Sequence, residues 1–172
     1  RSNIMQLSQA SAEKIMKDMC MEDMPLISMQ PTPHQMPADW FARYKKARHS
    51  FMQSLGESIE ELAFMNLSQE EFMDLLMGRT LPANTSIRMR VPICWGGEIS
   101  PDNMFMCSTF PHSQNIDRFI IGQAGNETIW LPSPAKKIYI PAHTAGGGEG
   151  GNATEDRLAQ MAAQFAASRG ME

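Results

Sequence analysis

Apolar residues recur along this chain in two rhythms, one helical and one extended. From Ser8 to Met21, Ile15, Met16 and Met19 share one helical face with no proline before Pro25, which predicts a helix. Ala38 to Leu55 repeats that rhythm. Trp40, Phe41, Tyr44, Phe51 and Leu55 form its apolar side, and Arg43, Lys46 and Ser50 are left for solvent. Asp39 lies at the end where the helix dipole favours an acid, and Gly56 supplies the stop. Glu57 to Met65 predicts a shorter helix. In Ser68-Gln69-Glu70-Glu71 the serine can serve the amide three residues on while Glu71 reaches back, a capping box. Phe72, Leu75 and Leu76 make the helix behind it amphipathic as far as Gly78.

The extended rhythm is set by proline and glycine. Pro25, Pro31, Pro33 and Pro37 exclude regular helix, so this stretch is expected as an extended strap. Leu26, Ile27, Met29 and Met36 mark the strap as packed on the body. Ser86 to Ile93 is strand-like, interrupted at Pro92, and the chain reverses at Gly96-Gly97. A second apolar run, Met104 to Cys107, follows a turn at Ser100-Pro101-Asp102-Asn103. Pro111 suits a first helical turn, and Ile116, Phe119 and Ile120 then recur at helical spacing up to Gly122. This order is strand, turn, strand, helix. Glu127 to Leu131 and Lys137 to Ile140 are expected as short strands confined to edges by Pro132, Pro134 and Pro141.

Ala145 to Gly151 has the composition of a flexible linker and lacks the GxxxxGK order of a phosphate loop. Asn152 with Glu155 opens a last helix, in which Leu158, Met161, Ala162, Phe165 and Ala166 share a face. The fold expected is α+β: a helical N-terminal half packed on a strand-turn-strand-helix finger, plus a C-terminal helix. Its segments are residues 1–37 (helix and strap), 38–143 (core), 144–151 (linker) and 152–172 (helix).

Composition narrows this picture. With 172 residues, 42% apolar and 20% charged, the chain can bury a substantial core and is neither disordered nor membrane-like. No apolar run approaches the roughly 20 residues of a membrane span. No signal-peptide pattern follows Arg1, as expected of a piece released from a longer carrier. The net charge of -4 disfavours nonspecific binding to a phosphate backbone. A local basic cluster of Arg43, Lys45, Lys46, Arg48 and His49 fans around its helix, as a solvated face does. Cys20, Cys94 and Cys107, an odd number without CxxC spacing, favour free thiols and a reducing site of action. Cys94 as a nucleophile would need His112 or His143 beside it. The 16 methionines suit irregular core filling, with an adaptable partner surface as the rarer use.

Asn84 to Gln123 carries a resemblance. Its order of an isoleucine, Pro92-Ile93, Gly96-Gly97, Asn103-Met104, then His112 and, after four residues, Asp117 on a helix is similar to the HNH/endonuclease VII (His-Me finger) nuclease domain. It is most similar to toxin versions at the C-termini of bacterial polymorphic and type VI secretion effectors, Rhs-type proteins included. The match spans roughly a quarter of the chain, and spacing rather than any one residue carries it.

Counted back from Pro92, the two histidines of that family fall on Arg88 and Met89. The resemblance makes the first a metal ligand and the second the general base. Arginine offers no lone pair to a cation and methionine cannot take a proton. Asn103 matches the middle asparagine, His112 the histidine opening the last helix, and Asp117 a closing ligand. The resemblance therefore implies candidate site residues Arg88, Asn103, His112 and Asp117, with His112 and Asp117 the candidate metal ligands. The same side chains have structural accounts: Asn103 as turn holder, His112 as a first-turn residue and Asp117 as a solvated helix position.

The leading expectation is a secreted bacterial effector domain acting in a target-cell cytoplasm. Its nuclease site would be decayed or repurposed, with no cofactor, and its partners would be a cognate immunity protein and the rest of its carrier. An active nuclease would require Mg, Mn or Zn and a nonstandard base. A non-catalytic interaction module is the third reading.

Overall fold

The computed structural model describes residues 6–141 and 151–170. It is an α+β fold built from six α-helices and four short strands among those residues. In order these are α1 (Gln9–Asp18), β1 (Leu26–Met29), α2 (Trp40–Ser54), α3 (Ile59–Ala63), α4 (Gln69–Leu76), β2 (Thr85–Met89), β3 (Met104–Ser108), α5 (Gln114–Ile121), β4 (Ile129–Pro132) and α6 (Gly151–Gly170).

The strand at the centre is β3. Met104, Phe105, Met106 and Cys107 are all buried, and successive side chains of a strand point to opposite faces. Met104 and Met106 enter one core with Phe51, Leu55, Leu62, Phe72 and Leu75 from the helical half. Phe105 and Cys107 enter a second core with Met16, Met21, Ile116, Phe119 and Tyr139. One edge of β3 pairs antiparallel with β2, Arg88 opposite Phe105 and Met89 opposite Met104. At its other edge the Met106 N–H donates to the Lys137 carbonyl at 2.7 Å and the Tyr139 N–H to the Met106 carbonyl at 2.8 Å.

Several expectations are corrected by this arrangement. The strap is extended as expected, its Leu26–Met29 stretch being β1, antiparallel to β4, but Ile27, expected to be packed, is 38% exposed. The first strand of the finger ends at Met89, because Pro92 opens a 3-10 turn over Ile93–Trp95. Lys137 to Ile140 forms a single bridge, Met106 to Ile138, rather than a strand. Trp40 and Phe41, expected in the core, are 38% and 54% exposed. The buried face of α2 starts later, at Ala47, Phe51 and Met52. The methionines of the N-terminal third do fill a core: Met16, Met21 and Met24 are buried.

Residues 144–150 of the expected linker lie outside the described residues, and Gly151 already opens α6. That helix docks on the body. Leu158 is fully buried, Met161 and Ala162 pack on the first core, and Arg157 donates to the Leu67 carbonyl at 3.2 Å. Ala166 is exposed, contrary to the expected face, and the side chain of Phe165 lies outside the described ones.

The capping box at Ser68 forms with both bonds, Glu71 N–H to Ser68 Oγ and Ser68 N–H to Glu71 Oε1, each 3.1 Å. The backbone amide of Ser68 beside it holds the Glu71 carboxyl below the usual carboxylate range. This contribution is present above the ordinary carboxylate pKa and fades as pH falls through it. Replacing Ser68 by Ala should lower stability by about 1 kcal/mol in chemical denaturation, while Ser68→Asp should recover most of the loss.

Candidate functional site

The finger is built from β2, the loop 90–103, β3, a π-type turn at Thr109–Ser113 and α5. Its loop is held by one side chain. Asn103 Oδ1 accepts the Val91 N–H at 3.0 Å, while Nδ2 donates to the Val91 carbonyl at 2.8 Å and the Glu98 carbonyl at 2.9 Å. The Met89 sulfur lies 3.6 Å from the same nitrogen. Asn103 thus serves the loop backbone and Met89 rather than Arg88, His112 or Asp117. Gly97 lets the chain pass this close: a Cβ there would sit 1.9 Å from the Val91 carbonyl oxygen, inside any tolerable contact. Gly96 takes φ 95°, the left-handed region that suits glycine.

Arg88 and Asp117 are brought together. Arg88 projects from β2 across the start of α5, where Nη2 meets Asp117 Oδ1 at 2.8 Å. Its Nη1 donates to Ser113 Oγ at 2.8 Å and to the Ser113 carbonyl at 3.3 Å. The Arg88 side chain is 19% exposed and Asp117 58%, and Arg88 Nε is buried without a partner. With its Asp117 end this open to water, the ion pair itself contributes no more than about 1 kcal/mol. Its effect is chemical. The carboxylate that a cation would need is held by a permanent positive charge, and the guanidinium has no lone pair to offer in exchange.

His112 belongs to a different set of contacts. It is buried at the end of β3, with Nδ1 2.9 Å from Ser108 Oγ and its ring edge-on to Tyr139 at 5.3 Å between centroids. Ser108 Oγ also accepts the His112 backbone N–H at 3.2 Å, the bond of a capping serine. Ser108, His112 and Tyr139 line a recess of ≈ 210 Å³ whose other walls, Met65, Met106 and Ile138 among them, are largely apolar. Among the described residues no three His, Cys, Asp or Glu side chains gather in a metal-holding arrangement.

Two groups in this region are strongly shifted by burial. The Cys107 thiol is pushed up to about 12, with Arg88 opposing and Asp117 adding to the effect. Burial, then the charges of Asp23 and Glu22, raises the phenol of Tyr139, whose hydroxyl donates to the Glu22 carbonyl at 2.8 Å. Neither is ionised near neutral pH, so neither is a ready nucleophile or base. Cys94 is exposed beside the Gly96-Gly97 turn, and its carbonyl accepts the His34 N–H at 2.9 Å. His143, the other residue considered for activating it, lies outside the described residues.

Ser113, Ser108 and Tyr139 were not singled out by sequence reasoning. Ser108 alone carried a signal, as a serine four residues before a histidine across the strand end.

Asn103→Ala should destabilise the fold by about 1–3 kcal/mol in urea unfolding, since it strands the Val91 and Glu98 backbone groups. Iodoacetamide at mildly alkaline pH should label the exposed Cys20 and Cys94 and spare Cys107 until the chain is unfolded. Because the Cys107 thiol is raised from 9.0 to about 12, its stabilising share is complete below the lower value. Unfolding at increasing pH should show that share disappearing as the upper value is approached.

Protein-family models, curated proteins and solved structures were compared with this chain, and none matches.

Proposed function

We propose that the chain is a bacterial secretion-system effector domain of the polymorphic-toxin kind whose finger works by binding and not by cutting nucleic acid. The secretion context rests on the resemblance of Asn84 to Gln123 to HNH effector domains. The observation that carries the non-hydrolytic reading is the ion pair of Arg88 with Asp117. At the two positions where hydrolysis would require a metal ligand and a base, the chain has Arg88 and Met89. Arg88 neutralises Asp117, the remaining acidic candidate, and Met89 is an acceptor for Asn103. His112 contacts Ser108 and Tyr139, in a setting of cap and core.

Free thiols at Cys20, Cys94 and Cys107 suit action in a reducing cytoplasm, and a cognate immunity protein is the partner that this reading implies. The net charge of -4 supports a protein target over a nucleic acid.

Supercoiled plasmid incubated with the purified protein and Mg, Mn or Zn should remain uncut, and cytoplasmic expression in bacteria should slow growth unless the neighbouring gene product is co-expressed. Metal-dependent nicking that disappears in both His112→Ala and Asp117→Asn would establish the nuclease instead. Harmless expression together with no binding by the neighbouring gene product would remove the effector reading and leave an interaction module.

A further inference from the structure

The N-terminal half of α2 carries an exposed aromatic pair among cations, outside both cores. Trp40 and Phe41 sit side by side in its first turn, 38% and 54% exposed, ring centroids 5.5 Å apart and edge to face. Tyr44 backs Trp40 at 6.5 Å, and the Lys45 ammonium lies 4.8 Å over the Phe41 ring. At about 100° per residue, Lys45 and Arg48 lie on either side of Phe41, Arg43 lies beyond Trp40, and Lys46 is on the far side of the helix. Arg43, Lys45, Lys46 and Arg48 therefore place four cations within two turns of a chain whose net charge is -4.

Helix stability does not account for that placement. The helix Trp40–Ser54 contains no acidic residue, so no carboxylate of its own offsets these cations. Arg43 has Asp39 at 3.8 Å. Among the described residues no carboxylate comes within ion-pair distance of Lys45, Lys46 or Arg48. An exposed Trp-Phe pair set among unneutralised cations is complementary to a surface that is negatively charged outside and apolar beneath.

We propose that this face docks the protein peripherally on an anionic lipid bilayer, with Trp40 and Phe41 entering the headgroup boundary and Lys45 and Arg48 pairing with lipid phosphates. A bilayer fits better than single-stranded nucleic acid because base stacking wants open ring faces. Here one face of Phe41 lies under Lys45, and Trp40 is packed against both Phe41 and Tyr44. The proposal is independent of whether the finger hydrolyses anything.

Co-sedimentation with phosphatidylcholine vesicles, with and without phosphatidylglycerol, tests it on the full chain. Binding should require phosphatidylglycerol, weaken with added salt, and shift the fluorescence of the native protein to the blue but not that of Trp40→Phe. The Lys45→Gln, Arg48→Gln double variant should lose roughly thirtyfold in partitioning, at about fivefold for each cation near an anionic surface. Trp40→Ala with Phe41→Ala should lose binding while circular dichroism and the unfolding midpoint stay close to the parent, since both rings are exposed. Three results would overturn the proposal: no binding at low salt, equal binding to neutral vesicles, or binding untouched by these variants. If a fluorescent oligothymidine or an acidic peptide binds in a Trp40- and Lys45-dependent way while vesicles do not, the face belongs to that partner and the lipid assignment fails.

Discussion

The alternation of Met104, Phe105, Met106 and Cys107 along β3 is the constraint that the rest of the structure obeys. A five-residue strand whose buried side chains alternate between its two faces has to be covered on both sides. The helical half, α2 to α4, covers the Met104 and Met106 side, while α1 and α5 cover the Phe105 and Cys107 side. A one-residue slip of register against β2 would exchange the two sets and put sulfur and ring where the other core has no room. Both edges of β3 are therefore tied, by β2 along five residue pairs and by the backbone of Lys137 and Tyr139. The C-terminal helix extends the first core through Leu158, so that the chain beyond the finger closes over the helical half.

Outside that strand the structure is joined by side chains that imitate backbone. Gln123, almost fully buried, accepts the Trp130 N–H at 2.7 Å and donates to the Trp130 carbonyl at 2.9 Å, replacing a strand neighbour and fixing α5 to β4. Asn84 does the same for Phe110, donating at 3.0 Å and accepting at 3.1 Å. Asn103 does so for Val91. Each replaces a ladder that short, proline-interrupted strands cannot provide, and each satisfies two backbone groups at once. Arg90 adds a fourth tie, donating to Ser133 Oγ and to the carbonyls of Pro134 and Lys136 while stacked 5.5 Å over Phe105.

How far the chain was legible follows from the range of the forces involved. The capping box at Ser68, the helical spacing of Ile116 and Phe119 and the run Met104 to Cys107 are local patterns that form as expected, although α5 opens at Gln114 and not at Pro111. The extent of β2 was cut short because Pro92 favours a 3-10 turn over a further ladder step. Trp40 and Phe41 misled because helical spacing says which residues share a face and not where along the helix the body begins. The pairing of β1 with β4 joins residues about a hundred positions apart, and nothing local in Leu26 to Met29 announces it. At the site, Asn103 as turn holder was readable from its turn. The meeting of Arg88 with Asp117 was not, because it depends on α5 lying across β2.

That meeting bears on function through its small energy. Asp117 is more than half exposed, and one nitrogen of Arg88 is buried without a partner, a loss that offsets part of what the ion pair contributes. The seating of α5 comes instead from Ile116 and Phe119 in the second core and from the Gln123 clamp. The consequence of Arg88 at this corner is electrostatic, since it cancels a carboxylate at the opening of the helix and repels any cation approaching it.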